Sequence, residues 1–225
     1  MAIKAAPLIL YNFGQKISFY LLKLKPFGLS TKFDLDFYQQ GDVVYLARQL
    51  VGQRLVTQFG GIRCSGLITE TEAYRGWGDK ACHAHLNRKT KRTAIMYEAG
   101  GLAYVYLCYG IHHLFNIVTN VSGQADAVLI RAIHPQEGID TMLKRRGKKE
   151  YQPKLAAGPG NCSQALGINT SHYGASLTDD RLFVEKTTEK PTVAARKRIG
   201  IEYAQEDAHL PWRFIWAGSK YLSKS

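Results

Sequence analysis

A chain of 225 residues, 45% apolar and 21% charged, can bury a full core without disulfide or metal staples and is too apolar to be disordered. No apolar run approaches the roughly 18–20 residues that a membrane span needs, so no membrane partner is expected. A formal charge of +12 and a sequence pI of about 9.5 favour a polyanionic partner through counterion release and steering, although a basic surface also serves solubility alone.

The first acidic side chain is Asp34. The apolar run Ala5–Tyr11 contains Pro7 and leads to no cleavage site, so the start does not read as a secretory signal, and its lack of arginine argues against a transit peptide. Residues 1–32 therefore read as a basic N-terminal extension, and 33–225 as one domain with no internal repeat or linker. Asp42 caps a helix through Val43, Leu46, Ala47 and Leu50 that Gly52 closes. Residues 62–73 read as a strand on which Ile68, Glu70, Glu72 and Tyr74 share a face, because the side-chain period is two. Residues 102–109 form a tyrosine-rich strand that turns at Gly110, and 114–118 and 127–133 form two more. Pro135 is expected to start a helix, acidic early (Glu137, Asp140) and basic late (Lys144, Arg145, Arg146), that ends at Gly147. A short helix from Pro159 through Leu166 stops at Gly167. Several strands follow each other closely, which predicts an α+β fold: a single mixed domain with a curved, mainly antiparallel sheet, flanking helices and a protruding β-hairpin.

Four cysteines (Cys64, Cys82, Cys108, Cys162) form no Cys-x-x-Cys pair, which predicts a reducing compartment, no disulfide framework and no zinc knuckle. His83, His85, His112 and His113 give only a weak metal signal and read more simply as unpaired surface histidines. Glu70 and Glu72, about 7 Å apart on an extended strand, could act as an acid/base pair or, singly, as a base that deprotonates water. Tyr109, next to the turn, could project as a wedge into a base stack, while Tyr104 and Tyr106 could stack on a flat ring; all three could equally be strand aromatics packed on the core. The runs Arg88-Lys89-Thr90-Lys91-Arg92 and Lys144–Lys149 suit phosphate contact or plain solvation. An acid, aromatic faces and positive charge together suggest chemistry on a nucleobase.

Taken in order, Leu46-Ala47-Arg48-x-Leu50-Val51-Gly52, Glu70-Thr71-Glu72-Ala73-Tyr74, His83, Tyr104-Val105-Tyr106-x-x-Tyr109-Gly110, Asn116-Ile117, Val128-Leu129-Ile130-Arg131-Ala132, Gly158-Pro159 and Gln164-Ala165-Leu166-Gly167-Ile168 resemble the alkyladenine (3-methyladenine) DNA glycosylase family. Each piece is weak alone; their order and spacing over about residues 33–218 are specific. The resemblance implies a monofunctional DNA repair hydrolase, a monomer without metal or cofactor, acting on double-stranded DNA. It would flip an alkylated or deaminated purine from the duplex and cut its N-glycosidic bond, leaving an abasic site. It also implies roles. Glu72 matches the catalytic base, and Arg131 an arginine that helps hold the attacking water and the backbone. Tyr74, His83 and Tyr106 match a pocket that stacks on the flipped base, Ala81 offers it backbone contact, and Asn116 matches a residue that discriminates against a guanine amino group. Tyr109 matches the intercalating tyrosine. Arg88, Lys89, Lys91 and Arg92 are expected on the DNA backbone. Location would be cytoplasmic, with the nucleoid, in a bacterium and nuclear in a eukaryote. Cys82 and Ala84 beside His83, and the stretch Thr93–Gly100, depart from the family pattern; the latter bears on backbone contacts and not on the chemistry.

Two other readings remain at this level. A basic, aromatic-rich binding module would hold nucleic acid without cutting it, and Glu72 would then be dispensable. A carbohydrate enzyme would use Glu70 and Glu72 as its pair, but the tyrosine–glycine turn and the charge count against it.

Overall fold

Asp42 is where the local chemistry is plainest. In a computed structural model of the chain, which describes residues 31–224, its carboxylate accepts from the N–H groups of Val44 and Tyr45 at 3.0 Å each and starts a helix at Val43. Two short helices open the fold, α1 (Leu35–Tyr38) and α2 (Val43–Leu50). Val43, Leu46, Ala47 and Leu50 are all buried, as the 3.6-residue period requires. A hairpin of β1 (Arg54–Phe59) and β2 (Ile62–Tyr74) follows, then β3 (Ala103–Cys108), β4 (His112–Thr119) and β5 (Asp126–Glu137). After α3 (Ile139–Arg146) and α4 (Pro159–Leu166) come three four-residue strands, β6 (Leu182–Glu185), β7 (Val193–Arg196) and β8 (Arg213–Trp216).

The strand order is β3-β4-β5-β2-β1-β6, with β8 pairing β2 and β7 off that path, and all the pairings are antiparallel. This is the mixed α+β architecture expected. Along one edge β2 pairs with β5; along the other it meets β1 in its first half and β8 at Glu70–Glu72. It is therefore the centre of the sheet, and every residue from Cys64 to Ala73 is buried. Helix α2 packs on β2 and β5, α4 on β4 and β5, and α3 on α4. Among the described residues no helix is long and apolar enough to cross a membrane.

Two expectations need correction. Pro135 does not begin a helix: β5 runs on to Glu137, and α3 starts after Gly138. A strand tolerates proline where the ladder is irregular, and the register shifts where Pro135 faces Gly66. Gly66 permits this approach, since a Cβ there would sit 2.7 Å from Ile133 Cδ1 and 2.8 Å from the His134 carbonyl. Strict alternation also fails in β2. The ladder with β5 shifts on both sides of Glu70, and Ile68 belongs to the apolar core, whereas Glu70 and Glu72 converge on one arginine. Of the proposed extension, residues 1–30 lie outside the described residues. Thr31 and Lys32 already pair with the domain, through Lys186 and Glu185.

Candidate active site

The two carboxylates of β2 are fully buried, and a charge in that position survives only if paired. Arg131, on β5, supplies the pairing for both. Its Nε donates to Glu70 Oε1 at 2.9 Å and its Nη1 to Glu72 Oε2 at 3.1 Å. The β2–β5 ladder makes this possible by setting Glu70 opposite Ala132 and Glu72 opposite Leu129.

The carboxylates then diverge. Glu70 accepts three further bonds, from Arg213 Nη1 at 3.1 Å and from the Ser223 N–H and hydroxyl at 2.7 Å each. Although burial opposes ionisation, these donors hold its pKa below the usual carboxylate value. Glu72 accepts from the Tyr74 hydroxyl at 2.8 Å and from the Ile199 N–H at 2.8 Å, besides Arg131. For Glu72 burial outweighs those bonds, and its pKa is raised. Carboxylates whose environments drive their pKa values apart are the usual mark of divided roles: one structural anion and one group able to exchange a proton.

Above Glu72 opens a cavity of about 590 Å³. Tyr74, Arg131 and Ile199, the three partners of Glu72, line it, and Glu72 lies beneath them. Ala81, His83, Tyr106 and Asn116 line it too, with Tyr109 and Arg92. The pocket residues matched from the sequence are thus gathered from four segments into one chamber. Arg88, Lys89 and Lys91 are exposed and do not line it.

His83 is fixed by a 2.8 Å hydrogen bond between Nδ1 and the Tyr104 hydroxyl, and its ring meets Tyr106 edge-on at 4.8 Å. Burial, then Arg92 and Arg88, lower its pKa to about 4, so the ring is neutral at physiological pH. Burial likewise raises the pKa values of the Tyr74, Tyr104 and Tyr106 phenols, which stay protonated donors. Asn116 is buried and its Nδ2 donates to the Tyr104 carbonyl at 3.2 Å. Tyr109 sits in the turn between β3 and β4 with φ 51°, is 90% exposed, and is joined there by Ile111 at 71%. A non-glycine residue in the left-handed region is uncommon, and here it throws the ring clear of the hairpin.

Sequence reasoning missed the frame of the site. Arg198 and Asp79 form a fully buried bidentate pair at 2.6 and 2.8 Å. Arg198 also bonds the Ala73 carbonyl and lies 4.9 Å over the Tyr74 ring, and its neighbour Ile199 delivers the N–H to Glu72. Nothing local marks Arg198 among the lysines and arginines of 190–198. Across the chamber the start of α4 contributes Gly158–Asn161, where a Cβ on Gly160 would lie 2.9 Å from His112 Cγ. The Gly158-Pro159 signal was visible, but its place in the chamber was not.

The sequence also matches known proteins. The methylpurine-DNA glycosylase family matches residues 36–220. A protein of Chlamydia felis called "Putative 3-methyladenine DNA glycosylase" is 49% identical over 181 residues, which are 80% of this chain and 93% of its own. Proteins with the same name in Chlamydia pneumoniae and Bacillus thuringiensis are 48% identical over 180 residues and 42% over 198. Those matches cover 80% and 83% of this chain, and 92% and 97% of theirs.

Proposed function

The chain belongs to the methylpurine-DNA glycosylase family, and from that premise we propose that it is a DNA repair enzyme that hydrolyses the N-glycosidic bond of damaged purines flipped out of duplex DNA. One observation carries the catalytic part of this reading. Glu72 is a buried carboxylate with a raised pKa, beneath an aromatic chamber large enough to admit a flipped nucleotide.

The step follows from the contacts. Glu72 Oε2 is held by Tyr74 and Arg131, while Oε1 has one bond, from Ile199, and a lone pair left for water. The carboxylate takes a proton from that water, whose oxygen forms the new bond to C1′. The C1′–N bond breaks with its electrons going to the purine, which departs, leaving an abasic site. Arg131 keeps the site near neutral as charge develops. Tyr74 and Tyr106 offer faces for stacking, which is worth roughly 1–3 kcal/mol per base and favours cationic, alkylated rings. A neutral His83 can hydrogen-bond such a ring without repelling it. Asn116 lines the wall, and we assign to it the rejection of a guanine amino group. The cationic residues of the lining are Arg92 and Arg131, whose guanidinium groups are not amine nucleophiles, and we assign the reaction to simple hydrolysis.

Tyr109 is the wedge that would fill the space left by the extruded nucleotide. Arg88, Lys89 and Lys91 would follow the phosphates, with Arg92 reaching from that run to the mouth of the chamber.

The test uses a duplex with one alkylated adenine or one hypoxanthine, alkali to cut at abasic sites, and Glu72→Gln beside the native protein. The native protein should excise. The variant should lose about 10²–10⁴-fold in rate and keep its DNA affinity. Excision undiminished in Glu72→Gln would remove the carboxylate from the reaction, and tight binding without excision by the native protein would leave a binding module.

A further inference from the structure

Arg131 is held at all three of its nitrogens, and one of the holders is remote. Nε goes to Glu70, Nη1 to Glu72, and Nη2 to the Ser223 hydroxyl at 3.2 Å. Ser223 lies on the segment that follows β8, far from every motif of the site. Its hydroxyl passes the contact on by donating to Glu70 Oε1 at 2.7 Å, and its N–H takes Glu70 Oε2 at 2.7 Å. Two charged groups, one of them fully buried, are thus closed off by a single serine that is itself only half-buried.

We propose that Ser223 is a positioning residue for the glycosylase reaction: its hydroxyl, wedged between Glu70 and Arg131, holds the guanidinium in the orientation that presents Nη1 to Glu72. This rests on the function proposed above. The geometry supplies the reason. Among the described residues the Ser223 hydroxyl is the acceptor for Nη2, so its loss frees one end of a planar fork whose other end touches Glu72. The segment does not depend on Ser223 for its place. The Thr69 hydroxyl donates to the Tyr221 carbonyl at 2.6 Å, the Tyr221 ring stacks on His134 at 3.9 Å, and the Tyr221 hydroxyl meets that of Tyr151 at 3.1 Å. Removing one hydroxyl therefore loosens Arg131 without detaching the segment. Ser223 does not touch Glu72 and does not itself line the chamber; its contacts with the site are Arg131 and Glu70, so any effect on rate must travel through that pair.

The experiment compares the full chain with Ser223→Ala and Ser223→Thr. Three quantities are read: the single-turnover excision rate at saturating protein, the affinity for a duplex carrying a stable abasic-site analogue, and the melting temperature. Ser223→Ala should excise about ten- to a hundredfold more slowly, the factor expected for a charge-assisted hydrogen bond, with affinity unchanged and the protein still folded at the assay temperature. Ser223→Thr, which restores the hydroxyl, should recover most of the rate. Four outcomes overturn the inference: an alanine variant at the native rate, a rate loss matched by a loss of affinity, a rate loss accounted for by unfolding at the assay temperature, or a threonine variant no faster than alanine. A native protein that excises nothing refutes the proposed function, and the inference with it. A native protein that excises beside an equally active Ser223→Ala refutes the inference alone.

Discussion

Acidification singles out His83. In the folded chain its ring protonates near pH 4 instead of near 6.5, because burial strips water from the imidazolium and Arg92 and Arg88 repel it. Between these values the unfolded chain binds a proton here and the folded chain does not, so stability falls as the pH drops through the window. The contribution is whole above pH 6.5 and gone below about 4. At about 1.4 kcal/mol per pH unit the gap is worth about 3 kcal/mol, a ceiling because part of the ring meets solvent. Urea unfolding at pH 7 and pH 4 should show it when the native protein is set beside His83→Gln. Glutamine can still bond the Tyr104 hydroxyl but does not titrate. Other titrating groups cancel in the comparison, so the native protein should lose up to about 3 kcal/mol more than the variant. Equal losses, or a ring that titrates near pH 6.5 by NMR, would refute the reasoning.

Three further outcomes are expected. Excision of a cationic alkylated purine should slow as the pH falls, with its half-point above the ordinary glutamate value of 4.5, because Glu72 must be ionised and burial raises its pKa; a flat profile on protein still folded by circular dichroism would contradict this. Arg198→Met strands the Asp79 charge in the interior and should cost about 3–5 kcal/mol by urea unfolding, and a cost below about 1 kcal/mol would show that the pair does not hold the frame. Tyr109→Ala, at a side chain 90% exposed, should leave the melting temperature alone and reduce excision from duplex DNA more than binding to undamaged duplex; equal reductions would count against the wedge.

The elements that could be read in advance are those with local causes. Asp42 and the spacing Val43, Leu46, Ala47, Leu50 carry the signature of α2, because cap and period lie within one segment. The hairpin that presents Tyr109 is legible in its alternating aromatics and in Gly110. The strands β6, β7 and β8 are four residues long and exist through their partners, so no pattern announced them. Pro135 misled for the opposite reason. It is a good helix starter locally, but the pairing of β5 with β2 extends the strand through it at an irregular point of the ladder.

The same division runs through the site. Glu72, Tyr74, His83, Tyr106, Asn116 and Arg131 could be named from motif order, since each sits in a segment with a recognisable neighbourhood. Where Glu72 sits on the acid scale could not, because that depends on depth and on donors brought from Arg131 and Ile199. The pair Asp79–Arg198 spans 119 residues, and the contact of Ser223 with Glu70 spans 153. Backbone periodicity and caps are short-range and leave a trace along the chain. An ion pair, a backbone N–H aimed at a carboxylate and the desolvation that shifts a pKa are long-range in sequence, and they come into being when the sheet closes around them.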